Sequence, residues 1–123
     1  MITIAPLGDK SEITAFFKRA EEAENENSGC VAAKCGEEIL GFCLYDLTDK
    51  GITVRYIEPK DDLGLADGIL RSTLHVAASR SAMDARYIGT DNEVLFSKLG
   101  FILDKADKKL DIDKLFRGCN CGK

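Results

Sequence analysis

Most of the side chains able to do chemistry in this sequence fall in one segment, Tyr56-Ile57-Glu58-Pro59-Lys60-Asp61-Asp62-Leu63-Gly64-Leu65-Ala66-Asp67. It reads as a strand stopped by Pro59, a short loop, and the first turns of a helix. A helix N-terminus presents unpaired N–H groups and the positive end of a dipole, which suits an anion. Gly64 and Ala66 keep side-chain bulk low there, so the amides of Leu63, Gly64, Leu65, Ala66 and Asp67 could approach phosphate oxygens. The plainer alternative is a strand-to-helix turn in which Gly64 serves geometry alone. Glu58, at the strand end, is the carboxylate best placed to take a proton; the alternative is a solvated side chain. Asp61, Asp62 and Asp67 oppose an anion. Carboxylates favour a helix N-terminus and can cap it, and two of them beside a diphosphate raise the cost of binding, which salt reduces but does not remove at contact distance. Lys60 and Arg71 are the nearest compensating cations.

Other reactive residues are more scattered. His75, the single histidine, falls on the outer face of the helix that follows and reads as a surface residue. Cys119-Asn120-Cys121 near the C-terminus is a lone Cys-x-Cys, whereas zinc takes four ligands, commonly as two close pairs. Cys30 and Cys35 stand at opposite ends of one strand and do not complete such a set, so no metal is expected. The tail thiols read as having no fixed role, the alternative being thiol or metal chemistry at the Cys-x-Cys. Cys43 reads as a core residue. Tyr45 and Tyr56 should lie roughly opposite each other across a hairpin, as a cross-strand aromatic pair.

These residues must be positioned by a domain spanning residues 1–112, with residues 113–123 as a tail. Met1–Leu7 reads as a strand and Ser11–Asn25 as a helix, with Asp9 and Glu12 at capping-box spacing and Ile13, Phe16, Phe17 and Ala20 on one face. Lys18, Glu21, Glu22 and Glu24 form its solvated face. Cys30–Cys35, Ile39–Leu47 and Ile52–Ile57 are β-rich runs separated by Gly-containing turns, the pattern of an antiparallel meander. A helix over Leu65–Arg80 follows, with Ala66, Ile69, Leu70, Thr73, Val76 and Ala77 on its apolar face. Then come a strand at Asp84–Gly89, a helix at Asp91–Leu99 with Asp91 as a candidate cap and Gly100 as its stop, and a hairpin of Phe101–Leu103 with Lys109–Ile112. Strands in a run, followed by strand–helix alternation, imply an α/β (α+β) fold with a mixed, mostly antiparallel sheet flanked by helices.

Composition narrows the class. The 123 residues are 45% hydrophobic and 31% charged, ordinary globular values for one domain. A net charge of −4 and a pI near 5.0 argue against a phosphate-backbone binder, so no nucleic acid is expected. No apolar run reaches the roughly 20 residues of a membrane span, so no membrane association is expected. Met1–Leu7 is too short and uncharged for a signal peptide. Five cysteines, an odd number, then read as cytoplasmic thiols. Oligomeric state is not legible, and a homodimer remains open.

Three motifs, in order, resemble the GNAT superfamily of acetyl-CoA-dependent N-acyltransferases. Ile57-Glu58-Pro59 is similar to that family's strand end, Gly64-Leu65-Ala66 to the second half of its diphosphate loop, and Leu95-Phe96-Ser97-Lys98-Leu99-Gly100-Phe101 to its last helix end. The resemblance implies an acyl-CoA N-acyltransferase-like fold, acetyl-CoA or another acyl-CoA as co-substrate, and direct transfer to an amine acceptor that the sequence does not name. It implies that the amides of Asp62 to Asp67 hold the diphosphate and that Ile57 bonds the pantetheine arm. Glu58 or a water would then deprotonate the amine. The sequence departs from the family pattern in three places. Asp61 stands where the loop has Gln or Arg. Phe96 stands where many members have the Tyr that protonates the departing thiolate, so Tyr45, Tyr56 or Tyr87 would have to serve. Only one helix fits before Cys30, where two are usual, so the acceptor side should be short or open. These departures motivate the alternative of a binding or regulatory module with acyl transfer lost.

Overall fold

The structure, a computed structural model, describes residues 1–117. Its elements run β1 (Ile2–Pro6), α1 (Lys10–Arg19), β2 (Ser28–Cys35), β3 (Glu38–Leu47), β4 (Gly51–Glu58), α2 (Leu63–Ala78), β5 (Asp84–Tyr87), α3 (Thr90–Leu99), β6 (Ile102–Asp104), β7 (Lys109–Leu110) and α4 (Lys114–Arg117). The strands form one sheet in the order β1-β2-β3-β4-β5-β7-β6. Every neighbouring pair is antiparallel except β4 with β5. This is the mixed, mostly antiparallel sheet that the sequence implies.

Two-residue alternation along the meander feeds two layers. On one face Cys30, Ala32, Phe42 and Leu44 pack against Ile13, Phe16 and Phe17 of α1. Val31, Ala33, Cys43, Val54 and Ile57 turn to the other face, among Ala66, Ile69, Leu70, Leu74 and Ala77 of α2. Phe17, Phe42, Ile57 and Ile69 are all but inaccessible to solvent, each contributing about 2–3 kcal/mol by burial. Leu74, absent from the expected apolar face of α2, is buried there, while Val76 is only half-buried and His75 is exposed as expected.

Helix ends differ from the sequence pattern for local reasons. Asp9 caps α1 by accepting from Ser11 N–H at 3.0 Å, but Glu12 does not reciprocate and instead pairs with Lys34 at 2.6 Å. The helix stops at Arg19, well short of Asn25, because Glu21 takes a positive φ of 59°. Residues 20–27 then cross to β2 without a second helix, as expected. At α2, Asp62 is extended (φ −112°) and its carboxylate accepts from Leu65 N–H at 3.1 Å, so the helix begins at Leu63. At α3 the N-cap is Gly89 (φ 94°), and Asp91 lies in the first turn without capping it. Past residue 112, Lys114 donates to Leu99 O and Gly100 O, and Leu115 packs on the main core. Cys119 and Cys121 lie outside the described residues, as does the Cys-x-Cys they form. Among the described residues no helix is long and apolar enough to cross a membrane, and no group of side chains could hold a metal.

The feature that shapes the site is a register shift in β4. Tyr45 pairs with Val54 and Leu44 with Tyr56, leaving Arg55 as an extra residue, a β-bulge. The bulge corrects the expected aromatic pair. Tyr45 joins the α2-side core while Tyr56 packs on the α1 side, its ring 5.7 Å from that of Phe42. One unpaired residue turns every later side chain to the opposite face.

Candidate active site

Parallel pairing of β4 with β5 runs from Gly51↔Asp84 to Val54↔Tyr87, and Ile88 N–H still reaches Val54 O at 3.1 Å. Beyond Val54 the bulge bends β4 away, so Arg55–Glu58 run on without β5 as a partner. A fork opens between the strands. Its crotch is held by Asn92, which is buried and whose Nδ2 donates to Arg55 O (3.0 Å) on one side and Ile88 O (2.8 Å) on the other. Both amide protons are thus used. A cleft of about 260 Å³ fills the mouth of the fork, lined by Glu22, Arg55, Tyr56, Lys60, Asp91 and Asn92 among others. A second cleft of about 210 Å³ shares Lys60 and Asp91 and continues along Leu95 and Lys98 of α3.

The bulge residue is clamped. Arg55, 12% exposed, reaches Glu22 at 3.0 Å and Asp46 at 3.4 Å and lies over the Phe17 ring. Glu22 therefore lines the cleft and braces the bulge instead of sitting on a solvated helix face. The early stop of α1 brings it there.

Glu58 and Tyr56 form a hydrogen-bonded carboxylate–phenol pair beside the fork. Both β4 side chains point toward α1, where the Tyr56 hydroxyl donates to Glu58 Oε1 at 2.7 Å and Arg19 holds Oε2 at 3.0 Å. The charge of Glu58, accepting that hydrogen bond, is the main reason that the Tyr56 phenol is pushed up to about 12, with burial second. At neutral pH the phenol therefore keeps its proton. Ile57 turns into the α2-side core and is fully buried, leaving its backbone as its only offering to the fork. Its carbonyl accepts from Lys60 Nζ, whose ammonium also lies 4.5 Å from the centre of the Tyr56 ring. Burial, ahead of the opposing charges of Asp91 and Glu58, lowers the Lys60 pKa.

At the α2 N-terminus, the segment Asp62, Leu63, Gly64, Leu65, Ala66 and Asp67 forms the opening turn as expected, but much of it is already committed. Leu65 N–H bonds the Asp62 carboxylate and Ala66 N–H bonds Asp62 O. Leu63 and Gly64 are exposed, and a Cβ on Gly64 would meet nothing closer than Asp62 Oδ1 at 3.8 Å, so the approach is open. Ala66 is buried beneath it. Asp67 pairs with Arg71 at 2.8 Å, which takes that cation, also stacked over Phe101, out of the role of balancing a diphosphate.

Of the remaining aromatic candidates, Phe96 is fully buried in the main core, edge-on to Tyr87 at 5.9 Å, and is not at the cleft. Tyr87 donates to Glu93 at 2.6 Å and lines a different cleft, and Tyr45 sits behind α2. Tyr56 is the phenol at the fork. Sequence reading missed Asn92, Arg55 and Glu22. Asn92 carries a usable signal only in retrospect, as an amide two residues into a helix that follows a parallel strand.

A mixed sheet whose parallel pair forks beyond a bulge, beside the N-terminus of the helix following the longer strand, defines the acyl-CoA N-acyltransferase-like fold. No protein-family model and no curated protein matches the sequence. Solved structures do match. The ribosomal-protein-S18-alanine N-acetyltransferase of Escherichia coli superposes with a TM-score of 0.61 at 12% identity, over 89% of this chain and 88% of that one. A chain of the KacTA–DNA complex gives 0.60 at 14% identity, over 96% and 99%. A mutant AtaT toxin bound to the C-terminus of the antitoxin AtaR and acetyl-CoA gives 0.56 at 15% identity, over 94% and 98%. The chain has the GNAT fold. Because one neighbour is a complex with DNA, the fold lends no support to excluding nucleic acid, and that expectation rests on net charge alone.

Proposed function

We propose that the protein is an acyl-CoA-dependent N-acyltransferase that passes an acetyl or other acyl group directly to an amine. The observation that carries this reading is the fork: a bulged β4 that parts from β5 after Val54, next to a phenol–carboxylate pair and a helix N-terminus. The backbone around Ile57 would bond the pantetheine arm, displacing the flexible Lys60 side chain. The amides of Leu63 and Gly64, with those of Asp62, Leu65, Ala66 and Asp67 behind them, would face the diphosphate.

The proton steps balance within two side chains. The thioester supplies an activated carbonyl carbon and a thiolate leaving group. As the amine forms the C–N bond and the C–S bond breaks, Glu58 takes the amine's proton and Tyr56 gives its proton to the sulfur. Glu58 then returns the captured proton to Tyr56 along their 2.7 Å hydrogen bond. Sequence in time matters here. While Glu58 is charged the phenol stands near 12, so donating to a thiolate, whose conjugate thiol ionises near about 8.5, is strongly uphill. Once Glu58 has taken a proton, the main cause of that elevation is gone and the phenol falls toward about 10. Capture of the amine proton thus primes the acid.

Calorimetric titration with coenzyme A and acetyl-CoA tests the reading. Binding is expected; no heat and no thermal shift at millimolar ligand would overturn it. The thiols of Cys30, Cys35 and Cys43 are unpaired, which suits the cytoplasm as the working compartment.

A second reading, a binding or regulatory module with transfer lost, is favoured by the Asp62 cap on α2 and by Lys60 on Ile57 O. Two neighbours stand in macromolecular complexes, one with DNA and one with an antitoxin segment, which supports a macromolecular partner for such a module. Asp62→Ser discriminates, since serine retains the cap without the charge. If coenzyme A binding and turnover on a panel of polyamines and peptide amines both stay absent in this variant, the module reading prevails. Phe96→Tyr is uninformative, because its hydroxyl would enter the core.

A further inference from the structure

A cleft of about 300 Å³ on the α2 side of the sheet plays no part in the proposed transfer. Its polar lining is Tyr45, Ser72, His75, Ser79 and Arg80, with Leu7 and Val76 as apolar walls. It lies by the C-terminal half of α2, whereas the acyl fork lies by the N-terminus; Asp62 and Ser79 bracket about 25 Å of helix at 1.5 Å per residue.

Tyr45 is the central observation. It is only 7% exposed, and its ring occupies space that Gly29 leaves free. A Cβ at Gly29 would lie 2.5 Å from the Tyr45 ring and 2.6 Å from its hydroxyl oxygen. That hydroxyl makes no hydrogen bond among the described residues and lines the cleft, so its proton is available to a ligand there. Burial first, then the Cys43 and Cys30 thiols, raise its pKa against the pull of Arg80, so it keeps its proton and can donate. Arg80 forms no ion pair with any described residue, and no acidic side chain lines the cleft. The carbonyls at this end of α2 do not spoil it for an anion. Those of His75, Val76 and Ala77 are already taken by Ser79 N–H, Ser79 Oγ and the N–H groups of Arg80 and Ala82. A concave site that offers the Tyr45 and Ser72 hydroxyls and an Arg80 guanidinium without an ion pair among the described residues, and no carboxylate, favours negative charge.

We infer that this cleft binds a small organic anion, a carboxylate or phosphate monoester, with its charged end on Tyr45 and Arg80 and its apolar body on Leu7 and Val76. The inference is independent of acyl transfer. It is tested by amide NMR of the whole chain, titrated at constant ionic strength with inorganic phosphate, phenyl phosphate and benzoate, and with benzyl alcohol as a neutral control. Saturable shifts at Ser72, His75, Ser79 and Arg80 are expected with phenyl phosphate or benzoate, and the tighter of the two identifies the preferred head group. Tyr45→Phe and Arg80→Gln should each weaken that binding about tenfold while leaving the thermal midpoint and the rest of the spectrum in place. The proposal is overturned by the absence of saturable shifts at tens of millimolar, by equal binding of benzyl alcohol, or by unchanged affinity in both variants.

Discussion

The β4–β5 fork and the N-terminus of α2 flank Lys60, and they would meet an acyl-CoA in opposite ways. At the fork, Asn92 ties both strands, Arg55 is clamped by Glu22 and Asp46, and a phenol and a carboxylate share a 2.7 Å hydrogen bond. Every group is oriented before any ligand arrives, which is what favours chemistry over mere binding. At α2 the amides that should greet a diphosphate are partly spent on the Asp62 cap, Asp61 stands beside it, and Arg71 is engaged with Asp67. On the proposed reading, the end that would meet the thioester is preorganised, and the end that would meet the phosphates is electrostatically unfavourable. Recognition should therefore lean on the pantetheine arm, with the nucleotide half of coenzyme A adding little.

Four measurements press on this contrast. The largest effect belongs to Glu58→Gln. Acyl transfer should fall by about 10²-fold or more, and the Tyr56 titration, followed by phenolate absorbance, should drop from about 12 toward about 10. A titration that does not move would break the coupling on which the proton relay rests. Next comes Asn92→Ala, which leaves Arg55 O and Ile88 O without their donor. Urea unfolding should report a loss of about 2 kcal/mol, roughly 30-fold in the folding equilibrium, and a loss below a few tenths would show that the fork stands without its clasp. At the other end, Asp62→Ser should tighten coenzyme A about tenfold and leave pantetheine unchanged, with stability preserved by the serine cap. Equal tightening of both ligands would place the defect elsewhere. The smallest effect is that of Asp61→Asn, an exposed charge. It should improve coenzyme A binding by about two- to threefold at low salt, and the gain should vanish at high ionic strength.

The framework of the molecule was legible because it is written locally. Turn glycines such as Gly36 and Gly100, both at positive φ, the β-rich run Cys30–Cys35 and the apolar stripe from Ala66 to Ala77 each specify an element within a few residues. The candidate site was legible only where it coincides with such elements, at Glu58, Tyr56 and the α2 N-terminus. The bulge at Arg55 was not, since Ile52, Val54 and Tyr56 alternate like any strand; a bulge belongs to the register between two chains segments and has no signature in one of them. Glu22 was assigned to a helix because its pattern continues past Arg19, and only the positive φ of Glu21 removes it. Phe96 aligned with a catalytic position by motif, but its surroundings, Tyr87 and the main core, are set by packing that no motif encodes.

The crossing from Arg19 to Ser28, made without a second helix, leaves the α1 side of the fork rimmed by the side chains of Arg19, Glu22 and Glu58 and, among the described residues, by no further wall. An acyl donor held there would stand open to the solvent, so water would compete with the amine for the same carbon. The efficiency of such an enzyme would be set less by how fast it activates a thioester than by how small a share it loses to hydrolysis, and an acceptor able to cover that rim would complete the active site by binding to it.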